Sequence, residues 1–151
     1  MQILRKIVVI FLCVFSAIGY SNTDLVTGYW QTIDSKTKKP NSIIHVKKNG
    51  EFYEGVIEKT YVTPYEQRTH RCMHCVGNKK DQLILGLTII EHMTCSQGLC
   101  KGGTVLDPRN GNLYHATMRV INAGKQLRLR GYIGIPLFGK SVIWNRVTGK
   151  E

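Results

Sequence analysis

Apolar and polar residues alternate with period two along most of the chain beyond residue 27, and no window of a dozen residues carries the apolar stripe of a helix. Such a pattern sends successive side chains to opposite faces of a pleated strand, so the chain is constrained to be mostly β. The sharpest local signal is Asn49-Gly50, set between residues 42–48 and 51–60. Asn-Gly accepts the two positive φ angles of a type I′ turn and predicts a hairpin. Residues 27–33 read as a strand before it, followed by a Lys-rich polar loop, 34–41, that holds Pro40. Toward the end, residues 113–121, the turn Asn122-Ala123-Gly124-Lys125, and residues 126–133 and 141–147 form an antiparallel meander. Between Tyr61 and Lys80 the alternation dissolves, and the apolar run 83–90 suits either a strand or a short buried helix. Residues 104–106 make a short strand before the turn Asp107-Pro108-Arg109-Asn110-Gly111. The count is then about eight, enough for an antiparallel sheet to close into a barrel that holds side chains or one small ligand. A two-sheet β-sandwich would use the same pattern.

The N-terminal segment belongs to a different logic. Arg5 and Lys6 precede an apolar run, 7–18, broken only by Ser16, and small residues follow at Ala17, Gly19 and Ser21. This is the layout of a secretory signal peptide over residues 1–21, with cleavage after Ser21 preferred to cleavage after Gly19. The run is shorter than the roughly 20 apolar residues a membrane span needs. Cys13 lies inside it, preceded by Leu12 rather than a small residue, so it is expected to leave with the segment rather than carry lipid. Residues 22–151 remain, a length of about 130 that suits one domain with one core. The formal charge of +11 becomes +9 when Arg5 and Lys6 are removed. That balance favours anionic partners such as an envelope surface. The cations are scattered without a run of like charges, so nucleic acid is not an expected partner, and a soluble domain with a charged surface is the simplest reading.

Four cysteines, Cys72, Cys75, Cys95 and Cys100, survive removal of the signal segment. An even number in an exported chain reads as disulfides, with three pairings open. Cys72-Met73-His74-Cys75 lacks the βαβ context of a redox pair. A zinc site would take the four thiolates, or three with His70, His74 or His92, against the oxidising compartment. No nucleophile elbow, zinc-protease motif or phosphate loop occurs in residues 22–151. Glu51, Glu54 and Glu58 read as a solvated strand face, and the five histidines, at 45, 70, 74, 92 and 115, are spread singly. No catalytic residue, cofactor or metal ligand is therefore assigned, and an enzyme of unknown reaction stays only as an alternative.

Gly28-Tyr29-Trp30 on the first strand and Trp144-Asn145-Arg146 on the last resemble the lipocalin pattern. That resemblance implies Trp30 across the closed end of the barrel beneath Arg146 in a cation–π arrangement, with Gly28 as part of that structural end. Trp30-Gln31-Thr32, the stretch 103–111, Leu129-Arg130-Gly131-Tyr132-Ile133-Gly134, and Pro136-Leu137-Phe138-Gly139-Lys140 leading to Trp144-Asn145-Arg146 resemble a narrower group. It is the bacterial family catalogued as domain of unknown function 2147. The resemblance covers nearly all of residues 22–151 and implies a secreted or periplasmic lipocalin-like barrel with no established activity. Relatives carry Trp-containing sequence before the Gly-Gly pair, where this chain has Cys95 to Cys100.

The leading expectation is an all-β, eight-stranded antiparallel lipocalin-like barrel that binds a small apolar or amphipathic, anionic molecule in its interior. Parity places Tyr114, Ala116, Met118 and Val120 on one inward face and Leu127, Leu129, Gly131 and Ile133 on the other. Ala116 and Gly131 would leave space, and Met118 would adapt to a guest. Arg128, Arg130 and Tyr132 fall on the outer face, with Arg130 and Tyr132 as head-group contacts at the rim. The competing expectation is a barrel packed solid by the same side chains, which would leave an envelope-associated interaction protein with a basic docking surface.

Overall fold

The structure, a computed structural model, describes residues 24–150, so the segment read as an export signal lies outside the described residues. Eight strands follow one another around a closed antiparallel barrel: β1 (Gly28–Ile33), β2 (Pro40–Asn49), β3 (Phe52–Thr60), β4 (Thr88–Ser96), β5 (Leu99–Asp107), β6 (Asn112–Ile121), β7 (Gln126–Tyr132) and β8 (Lys140–Val147). Closure comes where Tyr29, Trp30 and Gln31 of β1 pair with Val147, Arg146 and Asn145 of β8. That seam separates a barrel from a sandwich, because it joins the two strands that would otherwise be free edges. It is also short. Residues 140–144 of β8 pair with β7 alone.

Two details of the hairpins differ from the sequence expectation. Asn49 pairs with Phe52, so Gly50 and Glu51 form the turn, and only Gly50 has positive φ, at 63°. One positive φ at the first central residue is the type II′ pattern, not type I′. The larger difference is the β4–β5 hairpin. The sequence suggested an apolar run at 83–90 and a short strand at 104–106, whereas β4 and β5 each extend nine residues and turn at Gln97-Gly98, both with positive φ. His92 and Gly102 also have positive φ, and the β5–β6 register shifts between Cys100 and Gly103. These irregularities break the period-two signal. Gly103 is required there by space, since an added Cβ would lie 2.8 Å from Met93 Cγ and collide with the Glu91 carbonyl.

The interior is apolar and the outer wall carries charge, with His45, Lys47, Glu54, Glu58, Arg119 and Arg128 at its exposed or half-buried positions. A transmembrane barrel has the reverse arrangement, an apolar belt outside. Among the described residues no helix is long and apolar enough to cross a membrane.

The barrel's two ends are built differently. One gathers residues 24–27 and the β2–β3, β4–β5 and β6–β7 turns. The other, the mouth, gathers the β1–β2 and β7–β8 loops, the β5–β6 turn and the long β3–β4 connection, 61–87. That connection begins with a one-and-a-half-turn helix, α1 (Pro64–Thr69), where the sequence suggested only irregular structure. Thr63 and Glu66 cap it reciprocally, a capping box legible as Thr-Pro-Tyr-Glu in the sequence.

Candidate functional site

At the closed end Trp30 is fully buried and donates its indole N–H to the Val26 carbonyl at 2.9 Å. The Arg146 guanidinium lies over the indole, 4.0 Å from its centroid. It donates to the carbonyls of Gly124 at 2.6 Å and Thr27 at 2.9 Å, and to that of Leu25. Burial pulls its pKa below the usual guanidinium value, with Asp24 opposing. Gly28 has φ +129°, and a Cβ there would meet Arg146 Nη1 at 2.7 Å, so the guanidinium needs a glycine beneath it. Gly28, Trp30 and Arg146 together make a plug that ties four segments of the chain.

The mouth is covered as well. Cys72 and Cys75 form a disulfide, both are buried, and both belong to the core cluster along with Ile84 and Leu87 of the same connection. Gly111 of the β5–β6 turn, with φ +73°, lies so close to the His74 carbonyl that no side chain would fit. The second disulfide, Cys95–Cys100, closes the β4–β5 hairpin at the opposite end of β5. The two pairs therefore sit at different ends of the barrel, which rules out one zinc site made of all four thiolates. Among the described residues no group of three or more His, Cys, Asp or Glu gathers around a point where a metal would sit.

From the closed end to the middle of the barrel the interior is filled. Trp30, Ile44, Ile90, Met93, Ala116, Met118 and Leu127 are each 0% exposed, so a water molecule would find no surface to touch on any of them. Leu129 is buried too, and beside Gly131 an added Cβ would meet Tyr114 and Val105 at 3.4 and 3.5 Å, ordinary contact distances. Ala116 is thus enclosed by its neighbours, whereas half-buried Gly131 keeps room for a methyl group at ordinary contact distance from Tyr114 and Val105. Two surface depressions, about 430 Å³ beside Arg71, Gln82 and Gly86 and about 190 Å³ beside Asp24, Tyr53 and Cys95, are lined by none of Ala116, Met118, Leu127 or Leu129.

The remaining residues proposed from sequence lie near the mouth. Half-buried Tyr114 has its phenol oxygen beside the Asn110 and Asn112 amides at 3.4 and 3.3 Å. Tyr132 packs against His115 on the outer wall, ring centroids 5.7 Å apart. Arg130 is engaged rather than free, donating to the carbonyls of Pro136 at 2.8 Å and Leu137 at 3.0 Å and to the Ser141 hydroxyl at 3.1 Å. Its guanidinium is thereby committed to the β7–β8 loop. Ile133, expected inside by parity, is 71% exposed, because β7 ends at Tyr132 and the chain turns away from the wall.

That corner is the feature the sequence reading missed. Of the thirteen exposed large apolar side chains among the described residues, six lie between positions 133 and 143: Ile133, Ile135, Leu137, Phe138, Val142 and Ile143. Val142 and Ile143 lie on opposite faces of β8, whereas Ile133, Ile135, Leu137 and Phe138 share the loop, and an exposed apolar group of this kind marks a contact surface. The available signal was an apolar run in a Gly- and Pro-bearing loop, where turn residues are ordinarily polar.

A closed eight-stranded antiparallel barrel with an Arg-over-Trp plug at one end defines a lipocalin-like protein. Residues 28–146 match the family described as "Uncharacterized protein conserved in bacteria (DUF2147)", and the chain belongs to that family. A solved structure with the same architecture is protein HP1028 from Helicobacter pylori, described as belonging to the lipocalin family. It superposes with a TM-score of 0.68 over 81% of this chain and 82% of that one at 14% identity, which establishes the fold alone. No curated protein sequence matches the chain.

Proposed function

We propose that this is an exported interaction protein that docks on an anionic surface of the cell envelope, rather than a carrier with its cargo in the barrel. The observation that carries this reading is the packed centre of the barrel, where Trp30, Ile44, Ile90, Met93, Met118 and Leu127 are fully buried against one another above the closed end. The net charge, +11 for the full chain and +9 once Arg5 and Lys6 leave with residues 1–21, supports an anionic partner. The N-terminal segment and two disulfides support a site of action outside the cytoplasm.

The lipocalin-like fold supports a second reading, binding of one small apolar or amphipathic anion. The observation in its favour is at the mouth, where Val142, paired with buried Leu129, is nonetheless 48% exposed on the inner side of β8. Such a ligand would rest near Tyr114 and Val142, with the 61–87 connection lifted away. One set of measurements separates the two. Surface docking predicts retention on anionic envelope material that is lost as ionic strength rises, together with no stoichiometric small molecule in native mass spectra or organic extracts. A one-to-one extractable lipid, or a fatty-acid probe bound independently of salt and weakened by Met118→Trp, would establish the carrier instead.

A further inference from the structure

We propose that the β7–β8 corner is a wedge that seats the mouth end of the barrel on an anionic lipid bilayer, with Leu137 and Phe138 entering the interface. This rests on the docking reading above and names its partner. Leu137 and Phe138 are 76% and 78% exposed and form one 3-10 turn with Pro136, so consecutive large apolar side chains stand in solvent. Ile133 and Ile135 flank them.

The turn is held rigidly. Arg130 reaches out from β7 to bond the carbonyls of Pro136 and Leu137, and its third contact, to Ser141, anchors the start of β8. Gly139 lies against β7 so closely that a Cβ would come within 2.7 Å of the Gly131 carbonyl oxygen and 2.9 Å of Tyr132 Cβ. The loop's backbone is therefore docked on the outer wall while its apolar side chains face away from it. A loop ordered in this way loses little conformational freedom on insertion, which favours binding.

The charge around it selects the partner. The segments that form the mouth, 34–39, 61–87, 108–111 and 133–140, contain nine Lys and Arg against Asp34, Glu66 and Asp81. Lys79 and Arg109 are paired with Glu91 and Asp107, which leaves seven cations, among them Lys36, Lys38, Lys39 and Lys140, in the loops of the same end of the barrel. Apolar side chains that share an end with such cations fit the boundary between acyl chains and anionic head groups. A second copy of the chain fits worse, because a two-fold contact through this end would set the same cations face to face. A soluble polyanion would meet the cations but leave Leu137 and Phe138 in water.

The test uses the disulfide-intact protein with vesicles of phosphatidylcholine alone, vesicles containing phosphatidylglycerol, and soluble polyphosphate. The expected result is binding to the phosphatidylglycerol vesicles but not to phosphatidylcholine alone. Leu137→Ser with Phe138→Ser is expected to weaken vesicle binding by about a hundredfold, roughly tenfold for each exposed apolar side chain, while binding to polyphosphate is unchanged. Both side chains are in solvent, so circular dichroism should show an intact fold. Phe138→Trp adds an indole in the turn whose fluorescence brominated acyl chains should quench. Equal vesicle binding by the double variant, or an unquenched indole, overturns the wedge and leaves docking on anionic surfaces standing. Binding to neither vesicles nor polyphosphate removes both. Self-association abolished by the double variant, without vesicle binding, assigns the corner to a second copy and overturns the lipid proposal.

Discussion

Removing Trp30 and Arg146 singly and together tests the closed end most directly. Trp30 is fully buried, and truncating a large aromatic in a packed core typically costs about 3–5 kcal/mol, so Trp30→Ala is expected in that range. Arg146 is only half-buried, and water would partly replace its bonds to the carbonyls of Leu25, Thr27 and Gly124. With the cation–π contact contributing about 0.5–2 kcal/mol and the charge-assisted bonds the rest, Arg146→Ala should cost about 2–3 kcal/mol. The two losses overlap, because the guanidinium in the Trp30 variant has no ring to cover and the indole in the Arg146 variant has lost its lid. The double variant should therefore lose about 1–2 kcal/mol less than the sum of the singles. Urea unfolding of the disulfide-intact domain, followed by far-ultraviolet circular dichroism, gives all three values without relying on the fluorescence of the deleted indole. Additivity to within about 0.5 kcal/mol would show that the 4.0 Å stacking does not couple the two residues and would refute the plug.

Gly103→Ala should destabilise by about 3 kcal/mol or more, since its Cβ has no room between Met93 and the β4 backbone; a near-neutral change in the urea midpoint would mean that β4 and β5 are farther apart. Arg109 hydrogen-bonds Asp107 and is the main cause that holds its carboxyl below the usual range, against the opposing effect of burial. Asp107 thus contributes stability that is present above its unfolded pKa and lost as pH falls through the lower folded value. Arg109→Ala should accordingly start acid unfolding at a higher pH, and an unchanged acid midpoint by circular dichroism would contradict the pairing. Replacing Cys72 and Cys75 together by alanine should cost about 2 kcal/mol from the short loop released and speed hydrogen exchange in the 61–87 connection more than in β6 and β7. Uniform exchange throughout would show that the disulfide does not anchor a separate cover.

The strands whose alternation is broken least were legible in the sequence: β1, β2, β3, β6, β7 and β8 lie within a residue or two of the expected segments, despite register shifts at Thr32/Ile33 and Ile43/Ile44. Their signal is local, because inward and outward positions repeat every two residues wherever the ladder is regular. β4 and β5 were not legible for the same reason, since His92, Gly102 and Gly103 interrupt the repeat, and the turn uses Gln97-Gly98 instead of an Asn-Gly pair. The family motifs marked Trp30 and Arg146 as a pair, but that they touch depends on β8 returning to β1 across more than a hundred residues of chain. Two matters were decided only by tertiary structure. Parity names which side chains point inward, yet whether they leave a void depends on the volumes that seven other strands bring to the same centre: Ala116 and Met118 are fully buried there, while Gly131, nearer the mouth, is only half-buried. Arg130 likewise has the same local sequence as any outward cation on a strand. Its commitment to the β7–β8 loop, and with it the exposure of Leu137 and Phe138, follows from where that loop folds back on the barrel wall, a long-range packing outcome that no local pattern encodes.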